Sequence, residues 1–97
     1  MSYRDMLTFL FNRNKYIEVL DSHQGKILEN VGTAYIDLNG LKQINDSHGH
    51  EAGDAFIQNA AKILSSIFPD KVYRIGGDEF VIIQSSIGEL EFHNRIN

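Results

Sequence analysis

The 97-residue chain contains no cysteine, no tryptophan and a single proline. Disulfide staples and thiolate metal sites are thereby excluded, which fits a reducing cytosol without requiring one. No run approaches the roughly 18 consecutive apolar residues that a membrane span needs, and no basic stretch followed by an apolar one opens the chain. A soluble, cytoplasmic domain without a secretory leader is expected. Positive charge is also scarce: nine Lys and Arg stand against thirteen Asp and Glu, for a formal net charge of −4. The basic residues do not cluster, so bulk nucleic-acid binding is not expected, and any phosphate chemistry has to occur at one local site. Apolar residues make up 42% and charged residues 23% of the chain, near globular averages, with Leu, Ile, Val and Phe spread throughout. Disorder and fibrous repeats are excluded, and the length leaves room for one core.

Apolar spacing predicts the elements. Leu7, Leu10, Phe11, Ile17 and Leu20 recur at intervals of three and four, interrupted at Asn12 and Arg13, which reads as a short turn followed by a helix. Residues 31–38 gather β-branched, aromatic and aliphatic residues with little alternation, as expected of a central strand covered on both faces. Asn39 and Gly40 break it, and a helix of about two turns follows from Leu41 as far as a loop at Ser47, His48, Gly49 and His50. Asp54 is expected to cap the next helix, whose apolar stripe of Phe56, Ile57, Ala60, Ile63, Leu64 and Ile67 is closed by Pro69. Residues 72–75 and 80–83 read as a hairpin around Gly76-Gly77-Asp78-Glu79, the glycines supplying positive φ.

That order is the first half of a split βαβ arrangement, an α/β (α+β) fold. A crossover makes the strand at Val72 parallel to the one at Val31, with the strand at Phe80 between them and antiparallel to both. Asp37 and Asp78 are then expected at one rim of the sheet.

Two carboxylates at a strand-end rim suit a hard cation such as Mg²⁺, which takes one or two carboxylates and completes its shell with water and phosphate oxygens. Beside Asp37, the backbone amides of Asn39 to Leu41 open a helix and present unpaired donors to an anion, with Lys42 adding a mobile positive charge. Gly40, Gly76 and Gly77 would let a nucleotide approach the backbone. Each residue also has a plainer reading. Asp37 serves equally as a helix cap, Gly76 to Glu79 is by composition an ordinary turn, Lys42 a solvated charge, and Asn45 and Asp54 loop and cap residues. His48 and His50 flank a glycine, but with no third ligand nearby a structural loop is favoured over a metal site.

Three segments shift that balance. Asp5-Met6-Leu7-Thr8-Phe9-Leu10-Phe11-Asn12-Arg13, the stretch from Asp37-Leu38-Asn39-Gly40-Leu41-Lys42 through Asn45-Asp46 to Gly53-Asp54, and Arg74-Ile75-Gly76-Gly77-Asp78-Glu79-Phe80 together resemble the GGDEF family of diguanylate cyclases, in order and spacing, over residues 5 to about 84. The resemblance implies a palm-like, ferredoxin-like sheet with helices on its faces, and condensation of two GTP molecules into cyclic di-GMP with Mg²⁺ or Mn²⁺. It implies that Asp37, Asp78 and the carbonyl of Leu38 hold metal and that Asn45 and Asp54 read guanine. Gly40, Leu41 and Lys42 would hold phosphates, and Glu79 would activate the 3′-hydroxyl. Because the product joins two nucleotides, such an enzyme works as a dimer.

Departures from the family pattern are equally specific. Phe9 stands where glycine is usual, Asn39 where many members have aspartate, and Leu41 where phenylalanine is common. The product-inhibition motif Arg-x-x-Asp keeps Asp70 but has Ile67 in place of arginine, so no inhibitory site is expected. Only thirteen residues follow Gln84, too few for a further βαβ unit, so residues 1–97 read as a single partial domain lacking the family's C-terminal part. On that expectation residues 31–38 form a bare edge that favours self-association. A catalytically silent module that binds GTP or a partner domain is the alternative reading.

Overall fold

The computed structural model describes residues 2–22 and 31–85, and the expectation that the residues after Gln84 are too few for a further βαβ unit concerns residues almost all outside them. After a turn at the N-terminus, Arg13–Ser22 forms α1. Asn12 caps it, its Oδ1 accepting from the amide of Lys15 at 3.0 Å, which is why helix begins where the apolar spacing is interrupted. Val31–Asp37 is β1, Leu41–His48 is α2, His50–Ile67 is α3, Val72–Arg74 is β2 and Glu79–Ser85 is β3.

The sheet order is β1-β3-β2, with β3 antiparallel to both neighbours. The split βαβ topology and the α+β class are therefore as expected. β1 is not the central strand, however. It pairs with β3 on one side, and Tyr35 near its end is 68% exposed. An apolar run reports burial potential, whereas the centre of a sheet is chosen by pairing, and here the pairing goes to β3.

The helix junction also differs from expectation. Ser47 and His48 belong to α2 and His50 opens α3, leaving Gly49 alone between them. Gly49 has φ 88°, and its amide donates to the carbonyl of Asn45 at 2.9 Å, so one residue closes the first helix and releases the second. Asp54 consequently lies inside α3 and caps nothing.

The core sits between α3 and one face of the sheet. Gly53, Ile57 and Ala61, spaced four apart, are the buried positions of α3, and Ile57 and Ala61 join Leu10, Val72, Phe80 and Ile82. Ile63 and Ile67, expected in the buried stripe, are exposed, while Leu64 packs at the edge of the core. The helix ends at Ile67 with Phe68 at φ −125°, ψ 71°, out of the helical region as the residue before a proline should be. On the other face Tyr73 stacks on Phe11 with ring centroids 5.2 Å apart, beside the fully buried Val81.

Candidate functional site

The last rung of the β1–β3 ladder sets Asp37 opposite Glu79, and one step further the amide of Leu38 donates to the carbonyl of Asp78 at 2.9 Å. Strand end and hairpin are thus tied together at one rim, where an open cleft of about 460 Å³ is lined by Asp37, Leu38, Gly40, Leu41, Lys42 and Asp78, with Asn39, Gln43 and Asp46 beside them. Asp37 and Asp78 share this cleft despite their separation in sequence. Asp46, four residues after Lys42 and so on the same helical face, was given no role from sequence, although that spacing marks it.

Gly40 starts α2 with φ 90°, ψ 1° and offers no side-chain cap. The first amide of the helix to reach a backbone acceptor is that of Ile44, which donates to the Gly40 carbonyl at 2.9 Å. The preceding amides and the positive end of the helix dipole therefore open toward the cleft floor, where an anion would be favoured.

Charge in this corner is unbalanced. Asp37 and Glu79 are a like-charged pair directly opposite on neighbouring strands, an arrangement that destabilises a sheet, and Asp78 adjoins them. Among the described residues no group of three or more His, Cys, Asp or Glu converges on one point. A cation held here would meet two carboxylates and backbone oxygen, and would complete its shell from water or ligand oxygens. That hard-oxygen set fits Mg²⁺ or Mn²⁺.

The hairpin differs in detail from expectation. Neither Gly76 nor Gly77 has positive φ. The space beside Gly76 is taken by the carboxyl of Glu79, whose Cδ would stand 3.2 Å from a methyl placed there. Gly77 has open space around it, and its carbonyl accepts from Arg74 Nη2 at 2.9 Å and Nε at 3.3 Å. Gly76, Gly77 and Glu79 are outside the cleft lining.

Asn45 and Asp54 are also outside it, at the α2–α3 junction. Asn45 is half-buried, and its Oδ1 is buried without a hydrogen-bond partner against Gly53, the neighbour of Asp54. Asp54 itself is exposed.

Sequence reasoning left Asp5 and Arg74 without roles. Arg74 Nη1 donates to both carboxylate oxygens of Asp5 at 3.1 and 3.0 Å, and Asp5 accepts from the amide and hydroxyl of Thr8 at 2.9 and 2.8 Å. Burial pushes the Asp5 carboxyl upward, but the Thr8 hydrogen bonds and the Arg74 charge outweigh it and hold the group below its ordinary value of 3.8. The only signal was an acid and a base at opposite ends of the matched segments.

Comparison with known proteins identifies the family. Residues 2–96 match the family described as "Diguanylate cyclase, GGDEF domain". The signaling protein YkoW of Bacillus subtilis (strain 168) is 45% identical over 92 residues, covering 86% of this chain and 11% of that protein. The probable diguanylate cyclase DgcF of Escherichia coli (strain K12) is 33% identical over 89 residues, covering 90% of this chain and 28% of that protein. The crystal structure of the coiled coil and GGDEF domain of DgcB from Caulobacter crescentus, in complex with c-di-GMP, superposes with a TM-score of 0.76 at 28% identity, covering 86% of this chain and 46% of the other. The chain therefore spans less than a third of the length of these two relatives. Among the described residues no helix is long and apolar enough to cross a membrane. Matched over nearly its whole length, the chain belongs to the GGDEF family of diguanylate cyclase domains.

Proposed function

We propose that this domain condenses two GTP molecules into cyclic di-GMP with release of pyrophosphate, each of two facing copies presenting one nucleotide. The observation that carries the reading is that Asp37 and Asp78 line one cleft beside the uncapped start of α2. Relatives named as diguanylate cyclases, and a structural neighbour bound to c-di-GMP, support it. Asp37, Asp78 and the carbonyl of Leu38 would hold Mg²⁺ or Mn²⁺, and the ion would neutralise phosphate charge and lower the pKa of the 3′-hydroxyl. Lys42 and the amides of Gly40 and Leu41 orient the triphosphate. Gly77, with open space around it, lets the nucleotide approach the hairpin backbone, and Gly76 makes room for the Glu79 carboxyl. Glu79 accepts the hydroxyl proton. Asn45 and Asp54 read the guanine edge, whose N1 and N2 donors a carboxylate can accept together.

Incubation with GTP and Mg²⁺ or Mn²⁺, followed by chromatography for cyclic di-GMP, tests the proposal. Product that disappears in Asp78→Asn supports it. GTP binding without product would select a catalytically silent module, and neither binding nor product would overturn both readings.

A further inference from the structure

The buried oxygen of Asn45 and the buried glycine of α3 explain one another. A glycine in a helix interior costs stability relative to alanine, yet Gly53 occupies the first of the three buried positions of α3. A buried acceptor without a donor is also costly, yet Asn45 Oδ1 has no partner. A methyl group at position 53 would collide with Asn45 Oδ1 and stand 2.8 Å from its Cγ and 3.2 Å from Leu41 Cδ1. The carboxamide therefore occupies the volume that a side chain at 53 would take. Packing against the neighbouring helix orients it, since no hydrogen bond holds its oxygen. Unsatisfied buried groups call for an explanation in function or strain, and this one lies on the residue assigned to base recognition.

We propose that Gly53 is a positioning residue for base selectivity, acting through Asn45, whose carboxamide it seats at the α2–α3 junction. This rests on the reading that Asn45 contacts guanine. Any side chain at 53 would push the carboxamide away from the base while leaving the triphosphate cleft at Asp37, Lys42 and Asp78 intact. The glycine would then contribute to the choice of base and not to phosphate affinity.

The test is a double-mutant cycle on the full chain, comparing wild type, Gly53→Ala, Asn45→Ala and the double variant. Each is titrated calorimetrically with the non-reactive α,β-methylene analogues of GTP and ATP in Mg²⁺. Gly53→Ala should weaken the GTP analogue about tenfold, the worth of one hydrogen bond, with the ATP analogue unchanged. Asn45→Ala should show the same loss, and the double variant no further loss, because the two act through one group. An equal fall for both analogues, additive losses, or guanine preference surviving in Gly53→Ala while lost in Asn45→Ala would overturn the inference with the base-reading role intact. Guanine preference absent from wild type, or surviving in Asn45→Ala, would overturn that role and the inference with it. If Gly53→Ala fails to fold, the double variant decides. Recovery of its melting transition supports the clash with Asn45, and failure to recover overturns it.

Discussion

Arg74 and Asp5, at opposite ends of the matched segments, form a part-buried ion pair: the guanidinium donates twice to the carboxylate at 3.1 and 3.0 Å, with side-chain exposures of 15% and 20%. The same guanidinium grips the Gly77 carbonyl with its other nitrogens. One side chain thus links the N-terminal turn to the hairpin that carries Asp78 and Glu79, so the position of the hairpin depends on a residue outside the cleft.

Arg74→Met removes the guanidinium from Asp5, which keeps its Thr8 donors, and leaves the Gly77 carbonyl without its Arg74 donors. Hydrogen bonds to charged groups contribute about 1.5–3 kcal/mol, and partial exposure lowers that figure. A loss of about 1–3 kcal/mol is expected in urea unfolding, together with weaker turnover from a loosened hairpin. An unchanged midpoint would show that the pair is ornamental.

Acid should expose the same interaction. The Asp5 carboxyl is held below its ordinary value of 3.8 in the folded chain, so its contribution is fully present above that value and is lost as pH falls through the lower folded value. Asp5→Asn should be less stable than wild type at neutral pH, and the gap should close below about pH 4. Urea midpoints measured for both proteins from pH 7 downward check this, and a constant gap would refute it.

Phe9, where the family usually has glycine, has φ 60° and is 72% exposed. A bulky residue in the left-handed region costs about 1–2 kcal/mol, an exposed ring loses little by removal, and glycine gives back some unfolded-state entropy. Phe9→Gly is expected to stabilise the chain by about 0.5–1 kcal/mol, seen as a raised thermal midpoint. A fall would mean that the ring makes contacts worth more than the strain.

Features governed by short-range chemistry were legible in the sequence. The strand break at Asn39-Gly40, the stop before Pro69 and the hairpin around Gly76-Gly77 follow from rules that act within a few residues, and the rim shared by Asp37 and Asp78 follows from topology. What was not legible depends on contacts made elsewhere. Asp54 looks like a cap until Gly49, five residues earlier, starts α3. The apolar run of residues 31–38 suggests a central strand, and only the topology, which puts the strand at Phe80 in the middle, corrects it. Ile63 and Ile67 fit a helical stripe but miss the face set by Gly53, Ile57 and Ala61. The seat of Asn45 against Gly53 and the clasp of Arg74 on Asp5 join distant positions that no local pattern connects.

Among the described residues β1 is paired on one side only. Open edges recruit other chains, and the proposed reaction needs two copies. Sedimentation should show a concentration-dependent dimer, weakened by Thr33→Pro, which removes a backbone donor from the strand. A monomer at all concentrations would refute edge pairing.

Asp37 and Glu79 are paired across the last rung of the sheet, and like charges directly opposite destabilise a sheet. Without a divalent cation, Asp37→Asn removes the repulsion and should raise the thermal midpoint slightly. With millimolar Mg²⁺ or Mn²⁺ the order should reverse, because a ligand that binds only the folded state stabilises it by mass action, and on the proposed reading the variant lacks one of two carboxylate ligands. Cyclic di-GMP formation should fall about a hundredfold or more, as when a charge-stabilising group is removed from other active sites. Melting curves of both proteins with and without the cation separate the outcomes: a midpoint that responds equally to cation in wild type and variant would remove Asp37 from the metal site, whatever happens to activity.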